Sequence, residues 1–206
     1  MKHVFMTLLA GMLLWPCAAK ADDVAKTAKD PEVARAEEYL QNLHTAKADF
    51  IQTSSLGSRL SGQFYLNRPG KLRFNYNEVK DFVVADGVFI YFYDSQLGQQ
   101  SNAPIGQTLA DFLLRDDLSL TGDLKVEKIY KKDGYISITV TQTDDPAAGS
   151  VELIFSEVPY ALNRWRVTDA QGETTEITLK NLQTGVQLDD DLFGYRDPKG
   201  RKATND

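Results

Sequence analysis

The chain has 206 residues and a formal charge of −6, enough for one sizeable core and ill suited to an electrostatically driven nucleic-acid binder. Hydrophobic residues make up 42% and charged residues 25%, which excludes a disordered or collagen-like chain. The single cysteine, Cys17, excludes a disulfide framework and a cysteine-rich zinc site.

Lys2, the apolar run Val4 to Leu14 and the small residues of Ala19-Lys20-Ala21 have the layout of a cleaved secretory signal peptide. Residues 1–21 are therefore predicted to be removed, leaving 22–206 as a single domain. Lipidation at Cys17 is the rival reading. It is disfavoured because Pro16, behind the bulky Trp15, stands where a small residue is needed. The apolar run is too short for a membrane span of roughly 20 residues.

Asp23 to Lys29 reads as a frayed leader. Asp30-Pro31-Glu32 then starts a helix, with Asp30 as N-cap, Pro31 in the first turn and Glu32 at the positive end of the dipole. Val33, Ala36, Leu40 and Leu43 give it an apolar face, and it is expected to end near His44. From Lys47 the period becomes two: Ala48, Phe50 and Gln52, then Leu60, Gly62, Phe64 and Leu66, then Leu72, Phe74 and Tyr76. Asp86-Gly87 lies between two apolar runs as a hairpin signal. Further strands are predicted near 124–131, 134–142, 150–156, 161–168 and 174–181. About ten antiparallel strands in succession describe one large, curved sheet or barrel.

Between Asp94 and Asp123 the alternation stops. A loop rich in Gln, Ser and Gly leads to Pro104, and Ile105, Leu109, Phe112, Leu113 and Leu114 then suggest a short amphipathic helix. Such an insertion, about 95–123, is either a movable lid or a plug at one barrel end.

Little in the chain suits catalysis. His44 is the only histidine outside residues 1–21 and reads as a polar residue at a helix C-terminus. There is no serine-nucleophile motif and no phosphate-cradling glycine loop. Asp189-Asp190-Asp191 fits a short helix N-terminus better than calcium, and Asp116-Asp117 and Asp144-Asp145 read as solvated turns. No enzyme activity, metal or cofactor is expected.

What remains is an apolar face. A turn at Asp86-Gly87 places Val83, Ala85, Val88, Ile90 and Phe92 together, and a four-residue connection after Tyr76 adds Leu72, Phe74 and Tyr76. A three-residue turn at Pro69 to Lys71 adds Phe64, Leu66 and Arg68. The face suits a core or a greasy cavity. Arg68, at a strand end on this apolar side, either snorkels into water or finds buried partners.

The run Ser61 to Phe74, with Gly62, then Phe64-Tyr65-Leu66, Arg68-Pro69, Leu72 and Phe74, resembles the signature of the LolA family of periplasmic outer-membrane lipoprotein carriers. Val84 to Gly87 with Ile90 to Asp94, the stretch Thr108 to Arg115, Phe50-Ile51-Gln52, and Asp191-Leu192-Phe193 with Pro198-Lys199-Gly200 extend the likeness across Pro31 to Gly200. The family's aromatic three positions after the proline is Leu72 here, and its closing tryptophan is Phe74.

The resemblance implies a mainly β, α+β fold: an unclosed, strongly curved antiparallel barrel of about eleven strands with a helical lid over an apolar cavity. It implies a periplasmic, monomeric chaperone that takes the acyl chains of lipoproteins from an inner-membrane ABC transporter to an outer-membrane receptor. Arg68 becomes the lid latch. Phe50, Phe64, Leu66, Leu72, Phe74, Tyr76, Val83, Ile90 and Phe92 become the acyl-chain cavity, and Ile105, Leu109, Phe112, Leu113 and Leu114 the lid. A lipid-anchored receptor or a lipid-sensing module of the same fold is the alternative.

Overall fold

A computed structural model describes residues 30–106 and 109–200, apart from the side chains of 109–111. The expected signal peptide, Cys17, the 23–29 leader and the side chain of Leu109 lie outside the described residues.

The chain forms α1 (Pro31–Asn42), β1 (Thr45–Ser54), β2 (Arg59–Asn67), β3 (Lys71–Tyr76), β4 (Phe82–Asp86), β5 (Phe89–Asp94) and β6 (Gln99–Pro104). A 3₁₀ turn at Leu109–Leu114 follows, then β7 (Leu124–Lys132), β8 (Tyr135–Gln142), β9 (Gly149–Glu157), β10 (Tyr160–Asp169) and β11 (Thr174–Thr184), and a 3₁₀ turn at Asp190–Phe193. All strands belong to one 11-stranded sheet in the order β6-β5-β4-β3-β2-β1-β11-β10-β9-β8-β7. Every pairing is antiparallel, and β6 and β7 do not pair with each other, so the curved sheet stays unclosed. These two edge strands are consecutive in sequence, and the segment joining them lies over the hollow side.

Local chemistry explains the entry to the fold. The Asp30 carboxylate accepts the Glu32 amide at 2.8 Å and Pro31 occupies the first turn, so α1 begins where capping rules place it. Its buried face, Val33, Ala36 and Leu40, packs into the main core with Phe50, Phe64, Leu66, Phe155 and Trp165. Gly62 lies between Phe50 on β1 and Tyr76 on β3. A Cβ there would sit 1.9 Å from the Asn75 carbonyl oxygen and 2.7 Å from Phe50 Cε1. Without one, the Phe50 ring meets Phe74 and Tyr76 edge-on at 5.1 and 5.3 Å.

Three expectations need correction. β6 runs through the segment read as strandless: Gln99 and Ser101 are exposed on one face and Asn102 on the other, and no residue is buried, so there is no periodic mark. The β4–β5 turn is centred on Gly87-Val88, and Ala85 pairs with Ile90 and Val83 with Phe92. The Asp86 carboxylate accepts the Val88 and Phe89 amides at 2.9 Å each, which sets that turn. The shift preserves strand parity but leaves Val88 63% exposed in the turn, off the apolar face. Likewise Asn67 pairs with Lys71, so Arg68-Pro69-Gly70 forms the β2–β3 turn, with Leu66 opposite Leu72 and Phe64 opposite Phe74.

The opposite, convex face of this half of the sheet is also apolar. Phe82, Val84, Tyr91 and Tyr93 form a second cluster, covered by the C-terminal segment through Tyr195, which stacks on Tyr91 at 4.7 Å. Lys71 pairs with Asp190 at 3.0 Å, and Arg73 Nη1 donates to the Leu192 carbonyl at 3.0 Å, fixing that strap. The acidic run reads as expected: Asp189 caps the 3₁₀ turn by accepting the Asp191 amide.

Candidate functional site: a covered apolar hollow and its arginine

The concave side of the sheet contains an apolar cavity of about 300 Å³. Phe64, Leu72, Phe74, Tyr76, Val83 and Ile90 line one wall, and Trp165, Val167 and Ile177 face them from β10 and β11. Gln52 and Thr175 lie at its polar end, where Tyr76 Oη donates to Gln52 Oε1 at 2.8 Å. Burial, then the nearby Asp81 carboxylate, pushes the Tyr76 phenol up to about 12.

Sequence-predicted cavity residues divide in three. Phe64, Leu72, Phe74, Tyr76, Val83 and Ile90 line the space. Phe50 and Leu66 are 1% and 0% exposed and belong to the packed core behind it. Phe92 shares the concave face with Val83, its cross-strand partner, yet is 41% exposed beyond the cavity rim. The facing wall, Trp165, Val167 and Ile177, was not anticipated. Alternation Arg164-Trp165-Arg166-Val167 marks that strand as two-faced, but which wall it faces depends on a long-range closure of β11 on β1.

The cover comes from two segments. Leu113 closes the cavity from the 3₁₀ turn, Phe112 packs edge-on against Trp165 at 6.2 Å, and Leu114, Leu118 and Leu120 are buried in the same core. Ile105, at the start of this segment, is partly buried against it. The second segment is α1. Glu37, 6% exposed, accepts the Leu120 amide at 2.7 Å and the Ser119 hydroxyl at 3.3 Å, joining the two covers.

Arg68 sits at their junction and is 9% exposed. Its Nη2 donates to the carbonyls of Arg115 at 2.7 Å and Asp116 at 3.1 Å, and its Nε also reaches Arg115 at 3.3 Å. Nη1 donates to Leu43 O at 3.3 Å and to Leu40 O. One guanidinium thus satisfies carbonyls at the C-terminal end of α1, where the helix dipole favours a cation, and in the loop beyond the 3₁₀ turn. Burial lowers its pKa from the ordinary arginine value, and the Asp116 carboxylate opposes that shift. The turn adds backbone ties: the Arg68 amide donates to His44 O at 2.8 Å, and the Gly70 amide to Leu114 O at 2.9 Å. Gly70 has φ +78°, and a Cβ there would meet Gly87 Cα at 2.8 Å, so glycine is required.

Residues 41–196 match the family described as Outer membrane lipoprotein carrier protein LolA. The chain belongs to that family. An outer-membrane lipoprotein carrier protein of Methylococcus capsulatus is 28% identical over 198 residues, covering 92% of this chain and 91% of the relative. Its namesake in Legionella pneumophila strain Paris is 30% identical over 172 residues, covering 78% and 83%. Among solved structures, a LolA superfamily protein from Nitrosomonas europaea overlaps 79% of this chain and 97% of its own, with TM-score 0.46 and 12% identity.

Proposed function

We propose that the protein is a periplasmic carrier that shelters the acyl chains of lipoproteins leaving the inner membrane and passes them toward the outer membrane. The observation that supports this reading best is the apolar hollow under a cover fastened by one buried arginine. Membership of the LolA family and the names of the matched relatives point the same way. An ABC transporter would supply the cargo, a receptor would accept it, and neither step asks for a catalytic group on this chain. Processing after Ala21 would place the domain in the periplasm.

The energies are compatible with loading and release. Withdrawing a sixteen-carbon chain from a bilayer costs roughly 13 kcal/mol at about 0.8 kcal/mol per CH₂. Charge-assisted hydrogen bonds contribute about 1.5–3 kcal/mol each. Burial of one chain therefore exceeds the cost of detaching Arg68 from two cover carbonyls, so cargo can hold the cover open. The cavity's volume of about 300 Å³ lies at the lower limit of ordinary small-ligand pockets, so lipoprotein entry requires the cover to move.

The direct test is titration with an acyl fluorophore and with a purified lipoprotein, read by dye emission and by the fluorescence of Trp165, the one tryptophan outside residues 1–21. Saturable binding with a blue shift of Trp165 is expected. Absence of any saturable acyl binding would reject the carrier reading. Mass spectrometry of the protein from the periplasm should show Asp22 at the N-terminus.

A further inference from the structure

The two free edges of the sheet are built differently. β7 carries Lys125, Lys128, Lys131 and Lys132 and a bulge between Val126 and Lys128. Lysines and bulges are the usual devices that stop an edge from accepting another strand. β6, Gln-Gln-Ser-Asn-Ala-Pro, has neither charge nor bulge, and no strand among the described residues pairs with its outer side.

The register shows which of its groups are available. Ile105 N–H donates to Val88 O at 3.0 Å, which makes that opposed pair hydrogen-bonded. Alternation then turns the polar backbone groups of Gln99, Ser101 and Ala103 toward β5, and those of Gln100 and Asn102 outward. Pro104 occupies an outward position as well, where its lack of an N–H costs the sheet nothing.

This edge borders the cavity. Ile90 lines the hollow and pairs with Ala103, and Phe92, beside the lining residue Val83, pairs with Ser101. The concave apolar surface therefore runs from Ile90 past the exposed Phe92 ring and the small side chains Ala103 and Ser101 to the free edge. Among the described residues, three of the seven large exposed hydrophobic side chains, Val88, Phe92 and Leu97, lie on β5 or the turns that flank it.

We propose that β6 is a strand-addition site for the extended polypeptide that follows the acylated residue of the cargo. This rests on the carrier reading above and deepens it. With acyl chains in the hollow, the attached polypeptide must leave across its rim, and the β5–β6 side offers an apolar path ending in unpaired backbone donors and acceptors. Main-chain pairing with Gln100 and Asn102 ignores side-chain identity, so it tolerates many cargo sequences while favouring an extended, uncharged segment. It gives the carrier a grip on polypeptide as well as lipid.

The test compares three probes: an acyl fluorophore, a palmitoylated hexapeptide of Ser and Gly, and the same hexapeptide N-methylated at alternate residues. On the unmodified protein, N-methylation is expected to weaken the acylated peptide about three- to tenfold, the effect of one or two lost backbone hydrogen bonds. Asn102→Pro removes an outward N–H without touching the β5 ladder, and should weaken the unmethylated peptide similarly while leaving the fluorophore unchanged. Hydrogen exchange at Gln100 and Asn102 should slow with the acylated peptide and not with the fluorophore. Equal affinity for methylated and unmethylated peptides, with no added protection at these amides, would overturn strand addition and leave the carrier reading intact. Failure of the fluorophore itself to bind would instead reject the carrier reading and this inference with it.

Discussion

Replacing Arg68 with leucine tests the fastening in the most direct way. In the closed structure the guanidinium donates to Arg115 O and Asp116 O on the cover loop and to Leu40 O and Leu43 O at the end of α1. The loop carbonyls regain water when the cover lifts, so the relevant loss is that of the bonding to the two loop carbonyls. At about 1.5–3 kcal/mol for each carbonyl, less non-additivity because both are served by one guanidinium, the loss is about 3 kcal/mol. That favours the lifted cover by roughly a hundredfold. The β2–β3 turn keeps its backbone ties to His44 and Leu114, so the sheet should persist. Arg68→Leu is therefore expected to retain the far-ultraviolet signal of the native protein, take up acyl fluorophore faster, and release lipoprotein to an acceptor membrane more slowly. Amides from 115 to 120 should exchange faster in the empty variant. Native exchange in that segment, together with native transfer kinetics, would remove Arg68 from the opening equilibrium. Arg68→Lys is the companion, because one ammonium cannot span both sets of carbonyls, and an intermediate phenotype is expected.

Three further outcomes follow from the same contacts. Leu113→Asp places a carboxylate in the cavity roof and should abolish fluorophore binding with the β-sheet circular dichroism intact; unchanged affinity would make that turn a plug with no part in binding. Glu37→Leu leaves the buried Leu120 amide without its acceptor, and should lower unfolding stability by about 1–3 kcal/mol and loosen the cover, measured by denaturant titration and hydrogen exchange. Tyr76 is held neutral to about 12, above the ordinary tyrosine value of 10.0, so its contribution to stability is complete below pH 10 and lost as pH rises from 10 to 12. Tyr76→Phe should therefore flatten alkaline unfolding over that interval; an unchanged profile would place the alkaline transition elsewhere.

Much of this architecture is legible along the chain because most strands are buried on one side. Alternation at Leu60, Gly62, Phe64 and Leu66 and at Leu72 and Phe74 identifies strands and their shared face, and that parity survives the one-residue displacement of both turns. Burial on both faces, or on neither, erases the mark. Phe82, Val84, Tyr91 and Tyr93 pack under the C-terminal strap, and β6 is mostly polar with no buried residue; the first needs tertiary context and the second reads as loop. The Arg68 position could be read only as an expensive cation on an apolar side. Its acceptors are backbone carbonyls, which carry no residue signature, so likeness to the LolA family implies a latch and the structure shows the four carbonyls that Arg68 bonds. Trp165 and Ile177 face the cavity because β11 returns to β1 across most of the chain, a register that local periodicity does not encode.

The link between β6 and β7 has a mechanical consequence. Both ends of the covering strip are stitched to the open margins of one curved sheet, so the strip cannot swing away like a door on a single hinge. Lifting it draws on both margins at once, and spreading the margins pulls it taut. Roof height and girth should then change together, as with a drawstring and the neck of its bag, and Arg68 adds a third tie by holding that strip to the end of α1 from a turn well inside the sheet.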